Sequence, residues 1–161
     1  MNGLGLVVLR LALAVVFIAH GAHKLFGMWA DLGIGVGGLD MTAQVFTGIG
    51  LNPAFPLAVL IGVVETLGGV LLAIGWLTRF AAPALAIVTC VAVWKGQWAN
   101  GFFLNWMGAA DRGQGFEFSL ILLGALLCLT LTGGGEWSLD GQREASRASR
   151  QAGRARLRGK L

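Results

Sequence analysis

The sequence predicts an all-α integral membrane protein, a bundle of four transmembrane helices with both termini on the cytoplasmic side. Three observations carry that prediction. The 161 residues are 56% hydrophobic and only 12% charged, with a mean hydropathy of +0.74; a water-soluble domain has about a quarter of its residues charged. Four apolar runs approach the ~20 residues that a bilayer crossing needs. Lysine and arginine are distributed unevenly among the segments that join those runs. The same composition excludes a disordered chain, a coiled coil and an ordinary cytosolic enzyme.

The first run covers residues 4–26 and opens LGLVVLRLALAVVFIAHG. It lacks a positively charged leader, and its first charge, Arg10, sits inside the apolar stretch, so it is expected to be a retained helix and not a cleaved signal. The second covers 54–76. The third covers 80–98 and is separated from the second by Leu77, Thr78 and Arg79, which makes a tight helical hairpin. The fourth covers 116–133 and reads FEFSLILLGALLCLTLTG. None alternates apolar and polar residues, as a lipid-crossing strand would. Helices remain, because backbone groups in lipid need internal partners.

The connection 27–53 is rich in glycine (Gly33, Gly35, Gly37, Gly38, Gly48, Gly50) and ends in Asn52-Pro53. Its amphipathic stretch from Leu39 to Ile49 is read as a short surface helix, with a re-entrant segment as the alternative. The connection 99–115 carries Arg112 beside Asp111. Residues 1–135 hold five basic and five acidic groups, so the net charge of +4 lies wholly in 136–161. With Arg79 in the hairpin turn and seven Lys or Arg in the tail, the positive-inside rule places turn, tail and N-terminus in the cytoplasm. Trp76 and Trp137 then mark the inner interface, and Trp29, Trp94, Trp98 and Trp106 the outer one.

Charged groups inside a span cost about 2.5–3.5 kcal/mol each on insertion scales and are candidates for function. Six intramembrane polar residues qualify: Arg10, His20, Lys24, Glu65, Lys95 and Glu117. Arg10, Ala14, Phe17, Gly21 and Lys24 share one helical stripe, with His20 on its flank. Gly62, Glu65, Thr66 and Gly69 share another, a face of small packing residues with one carboxylate, which therefore points into the bundle. Counting from the inner ends of their runs, Arg10 and Glu65 differ in depth by roughly 7–8 Å, so they are expected to pair. The pair is either a structural ion pair or a polar site for protons or a small ligand. Nearer the outer face, His20, Lys24, Lys95, Glu117, Asn100 and Asn105 are placed to converge, unless Lys24 and Lys95 snorkel to headgroups. Glu117 has Lys24, Lys95 or His20 as partners; His23 lies off the stripe.

No metal site is expected, because two histidines lack a matching ligand set. Cys90 and Cys128 lie within spans, are not spaced C-x-x-C, and read as packing residues and not as exchange-active thiols. No phosphate-binding loop, dinucleotide fingerprint, haem-attachment or nucleophile-elbow motif is present. The chain divides into a membrane domain, 1–141, and a basic cytoplasmic tail, 142–161, expected to hold little fixed structure beyond a frayed helix. The tail lacks interleaved aromatics, so its arginines point to anionic lipid and not to nucleic acid.

These residues together resemble the DoxX family of small four-helix membrane proteins. The matching pieces are Arg10; His20-Gly21 with Lys24-Leu25; Gly50-Leu51-Asn52-Pro53; Glu65 with Gly68-Gly69 and Leu72; Gly75 with Thr78-Arg79; Gly101-Phe102-Phe103; Glu117; and Gly133-Gly135 with Ser138-Leu139-Asp140. The resemblance spans about residues 5–141. It implies a bacterial inner-membrane protein, and several family members are linked to oxidoreductase systems. One branch resembles the small subunit of thiosulfate:quinone oxidoreductase; another is associated with a complex for thiol and superoxide detoxification. What it implies here is an accessory or quinone-linked subunit with membrane or redox partners, quinone as the candidate cofactor and no intrinsic one evident. It is at most a subunit of an enzyme, with no catalytic motif of its own. The alternatives are a structural scaffold without redox activity and a small proton-coupled transporter, the latter requiring a homo-oligomer.

Overall fold

The structure is a computed structural model that describes residues 3–30 and 37–158, with side chains described as far as Gly153. Asp31, Gly33 and Gly35 of the first connection lie outside the described residues, as does Lys160 of the tail; the side chains of Arg154, Arg156 and Arg158 are likewise outside them. The described residues are helical, with no strand among them. Among the described residues three helices are long and apolar enough to cross a membrane: α1 (Gly3–Phe26), α3 (Ala54–Ile74) and the helical run Thr78–Asn100. That run is α4 (Thr78–Ala92), prolonged by a π turn (Val93–Gln97) and a 3-10 turn (Trp98–Asn100). The apolar α5 (Glu117–Thr132) is shorter, at 16 residues. Two more helices flank these: α2 (Leu39–Gly48) before α3, and α6 (Leu139–Arg158) at the C-terminus.

Helix α1 packs along α3, α4 packs along both α3 and α5, and α1 also touches α5. The shared core is Leu13, Ala14, Phe17, Leu72, Ala81, Ala82, Leu85, Leu126 and Leu129. The outward faces are apolar too, as lipid requires: Leu4, Val8, Leu11 and Val15 on α1, and Leu60, Val63, Leu67 and Val70 on α3, are all exposed. The α1–α3 contact is set by small residues. A Cβ on Gly21 would strike Thr66, and one on Gly69 would lie 2.8 Å from the Ile18 side chain. Gly62, Thr66 and Gly69 thus lie in the seam, and the Thr66 hydroxyl donates back to the Gly62 carbonyl at 2.8 Å.

Helix α3 ends at Gly75, whose φ of 68° is left-handed. The following Trp76 N–H donates to the Leu71 carbonyl at 3.0 Å, a Schellman closure that favours glycine. Helix α4 has no side-chain cap of its own. Asp140, some sixty residues later in the chain, supplies it: the carboxylate accepts from the N–H groups of Leu77 at 3.0 Å and Thr78 at 2.9 Å. The Asp140 N–H in turn donates to the Gly75 carbonyl at 3.0 Å. Ser138 caps α6, accepting from the Gly141 N–H at 3.0 Å, and the alanine- and arginine-rich sequence that follows has high helix propensity. A seeded helix of good formers continues to Arg158.

Candidate functional site

Lys24 sits in the last turn of α1, and Glu65 near the middle of α3. The close α1–α3 approach over Gly21 and Gly62 brings them together: Lys24 Nζ donates to Glu65 Oε2 at 2.6 Å. The carboxylate residue is buried and the ammonium side chain 23% exposed. Among the described residues this is the one salt bridge. Glu65 therefore pairs with Lys24 and not with Arg10, the partner that depth counting predicts. The two helices do not end flush: a Cβ on Gly75 would run into the Arg10 guanidinium, so Arg10 is level with the C-terminus of α3. Ten residues of rise, about 15 Å, separate that level from Glu65.

The pair lines a cavity of about 340 Å³. Its walls are mostly apolar, formed by Phe46 and Ile49 from α2 and its end, Ile61 from α3, and Val88 and Val91 from α4. Polar groups gather on the far side: Gln97, Asn100 and Gln114. The π turn at 93–97 places the first of them. It carries Gln97 round to accept a hydrogen bond from the buried Ser119 hydroxyl at 2.7 Å, and such bulges recur at functional positions. Asn100 fastens the roof, donating to the carbonyls of Gly96 at 3.2 Å and Gln114 at 3.0 Å. Helix α2 closes another side. Its Thr42 hydroxyl is within hydrogen-bond range of the carbonyls of Gly38, at 2.9 Å, and Lys24, at 3.3 Å, and Phe46 is buried. The stretch from Leu39 is thus a helix packed on α3 and not a loose surface segment.

The other sequence-derived candidates lie elsewhere. Arg10 is buried at the opposite end of the bundle, donating to the Trp137 carbonyl at 2.9 Å. Its Nε and Nη1, and the Thr78 hydroxyl, have no hydrogen-bond partner among the described residues. His20 faces outward from α1. Lys95 lies over the Trp94 ring, 4.4 Å from its centroid, an arrangement suited to the interface. Glu117 accepts from the Leu104 N–H at 3.3 Å and so steadies the 101–116 connection. Asn105 folds that connection on itself through Ala109 and Arg112. Gln97, Gln114 and Ser119 were not singled out from sequence; polar residues flanking an apolar run carry no signal that they turn inward. Among the described residues no group of three or more His, Cys, Asp or Glu is placed to hold a metal ion.

The site can bind a flat or compact apolar molecule bearing hydrogen-bond acceptors. Its volume lies at the lower end of the range for small-molecule pockets, about 300–1,000 Å³, and a few polar groups punctuate its apolar lining. Lys24 Nζ has donors beyond the one given to Glu65.

Comparison with known proteins supplies the context for this geometry. A family model described as DoxX matches residues 5–98, which carry α1 to α4 with Lys24 and Glu65. A Bacillus subtilis (strain 168) protein named "Putative oxidoreductase CatD" is 31% identical over 137 residues, covering 85% of each chain. No solved structure matches.

Proposed function

The chain belongs to the DoxX family, and from that premise we propose that it is a bacterial inner-membrane protein serving as an accessory, quinone-linked subunit of a membrane oxidoreductase or redox-detoxification complex. The observation that carries the reading is the cavity beside the Lys24–Glu65 pair, whose carboxylate is buried. An apolar enclosure with one ammonium and one carboxylate on its wall fits a quinone ring and its carbonyl oxygens. The relative's name, an oxidoreductase, points the same way.

In this reading α1, α3, α4 and α5 all span the bilayer. Helix α5, at 16 residues about 24 Å long, completes its crossing with the flanking Phe116 and Gly133. Arg10, Arg79, Arg143 and Arg147 gather at one end of the bundle, which supports a cytoplasmic location for that end and for both termini. A bound quinone would supply electron and proton uptake in a two-electron couple. The chain's own residues do the rest. Lys24 Nζ orients and polarises a carbonyl oxygen. Glu65 accepts the hydrogen bond that holds the ammonium in place. Phe46, Ile61 and Val91 exclude water. Electrons would pass through quinone bound in the bundle or through a partner protein.

The test is purification in nanodiscs from the native host, with quinone quantified in the extract and co-purifying proteins identified. Near-stoichiometric quinone is expected, lost in Lys24→Met and reduced in Glu65→Gln, together with a redox partner. A preparation with neither quinone nor redox partner sinks the reading. Glu65-dependent proton flux in proteoliposomes would replace it with the transport reading.

A further inference from the structure

The end of the bundle opposite the Lys24–Glu65 cavity has a second concavity that the redox reading does not use. Where α4, α5 and α6 meet lies a notch of about 300 Å³ lined by Arg79, Arg143 and Arg147. Two carboxylates also line it, Asp140 and Glu144. Asp140 is engaged with the Leu77 and Thr78 N–H groups. Among the described residues, none of the three arginines has a carboxylate within salt-bridge distance. Arg143 lies instead over the Trp76 ring, 5.5 Å from its centroid. Three guanidinium groups outnumber the two carboxylates here, and the surplus positive charge draws in an anion. Their forked donors match the oxygens of a phosphate.

On its apolar side the notch runs into a groove. Phe80 and Thr132 stand at the rim. About one turn away, from Phe80 to Pro83 on α4 and from the notch residue Gly134 back to Thr130 on α5, a groove of about 660 Å³ opens that continues to Trp94 and Leu123. Phe80, Pro83, Ile87 and Cys90 follow 3-4-3 spacing and so share one face of α4, with Trp94 beyond them in the π turn. Phe80 is 74% exposed and Ile87 65%, and the groove is almost wholly apolar. Charge complementarity and continuity therefore name one occupant. A free phosphate has no use for the groove, and an acyl chain alone has none for the arginines.

We propose that this face holds one anionic phospholipid, its phosphate in the Arg79–Arg143–Arg147 notch and an acyl chain along the α4–α5 groove. The site fixes α6 against the membrane surface. The inference rests on the chain's embedding in a bilayer and not on the redox reading, so either stands without the other.

Native mass spectrometry of the full chain in detergent tests it, using an equimolar mixture of phosphatidylglycerol and phosphatidylcholine with matched acyl chains. Phosphatidylglycerol adducts should exceed phosphatidylcholine adducts about tenfold or more. R79Q/R143Q/R147Q should bring them to parity, whereas R150Q, on the same helix but outside the notch, should not. Cys90→Trp should obstruct the groove and lower phosphatidylglycerol retention. Should the triple glutamine variant misfold, R79K/R143K/R147K keeps the charge and should keep the preference. Parity in the unaltered protein overturns the proposal, as does a preference that survives the triple glutamine change. Full displacement by millimolar glycerol 1-phosphate would assign the notch to free phosphate. A high yield of Cys90-linked dimer on oxidation of the C128S variant in proteoliposomes would assign the groove to a second copy of the chain. Either result overturns the phospholipid.

Discussion

Arg10 and Glu65 are both buried charges in apolar helices, 2% and 6% exposed, yet their surroundings differ in kind. Arg10 is held by backbone: it donates to the Trp137 carbonyl and lies so close over Gly75 that no side chain fits between them. The segments that surround it are then laced together by Asp140. Glu65 is held by one side chain, Lys24, and faces a cavity. A charge enclosed by backbone and without space beside it acts as a fastener. A charge with a movable partner and a void beside it is free to exchange that partner for a ligand. The distinction rests on what adjoins the charge and not on its depth in the membrane.

The sharpest way to break the contrast is at Gly75. In Gly75→Ala the new methyl would coincide with the Arg10 guanidinium and occupy a left-handed φ. Left-handed backbone costs about 1 kcal/mol for a non-glycine residue, and detaching a buried charge about 3 kcal/mol more. A loss of about 4 kcal/mol is expected, seen as a collapse of Tm in detergent or as failure to accumulate. A Tm within a few degrees of the unaltered protein would mean that Arg10 is not fastened there.

The next largest effect separates the two charges by their coupling. Lys24→Met or Glu65→Leu alone should each cost about 2 kcal/mol, below the value for a fully buried pair because Lys24 is partly exposed. The double variant should recover most of that loss. Arg10→Met combined with Glu65→Leu should instead be additive within about 0.5 kcal/mol. Measured coupling between Arg10 and Glu65 would contradict the observed pairing. A smaller effect belongs to Asp140→Ala. It removes the cap of α4 and should cost about 1 kcal/mol, with faster amide exchange at Leu77 and Thr78 and none at Lys24.

Much of this architecture is legible in the sequence because hydropathy and helical period are local. The run 4–26 corresponds to Gly3–Phe26, and 54–76 to Ala54–Ile74 with the Gly75 closure. The charge pairing was not legible. Depth counting takes antiparallel helices to end flush, whereas the register is set by which small residues meet. Gly21 meets Gly62 and Thr66, and Gly69 meets Ala14 and Ile18. That register lifts Lys24 to Glu65 and drops Arg10 to Gly75. The capping of α4 by Asp140 joins residues far apart in the chain, and the π turn that swings Gln97 inward leaves no periodic trace. Hydrophobic patterning reports which face is buried; it carries no information on which partner is met there.

Gly96 offers the smallest structural effect and the most direct test of the Glu65 side of the contrast. It lies in the π turn and lines the cavity. A Cβ built on it would meet nothing within 4 Å. Gly96→Leu should therefore shift stability by no more than about 0.5 kcal/mol while filling space that a ligand needs. If the cavity beside Lys24–Glu65 is where a quinone sits, this variant purifies with an unchanged Tm but with much less bound quinone. The Lys24–Glu65 bond, lying on another wall, should be untouched, so the stability loss of Lys24→Met should be the same in the Gly96→Leu background. Undiminished quinone in a folded Gly96→Leu protein would place the ligand elsewhere and reduce Glu65, like Arg10, to a fastener.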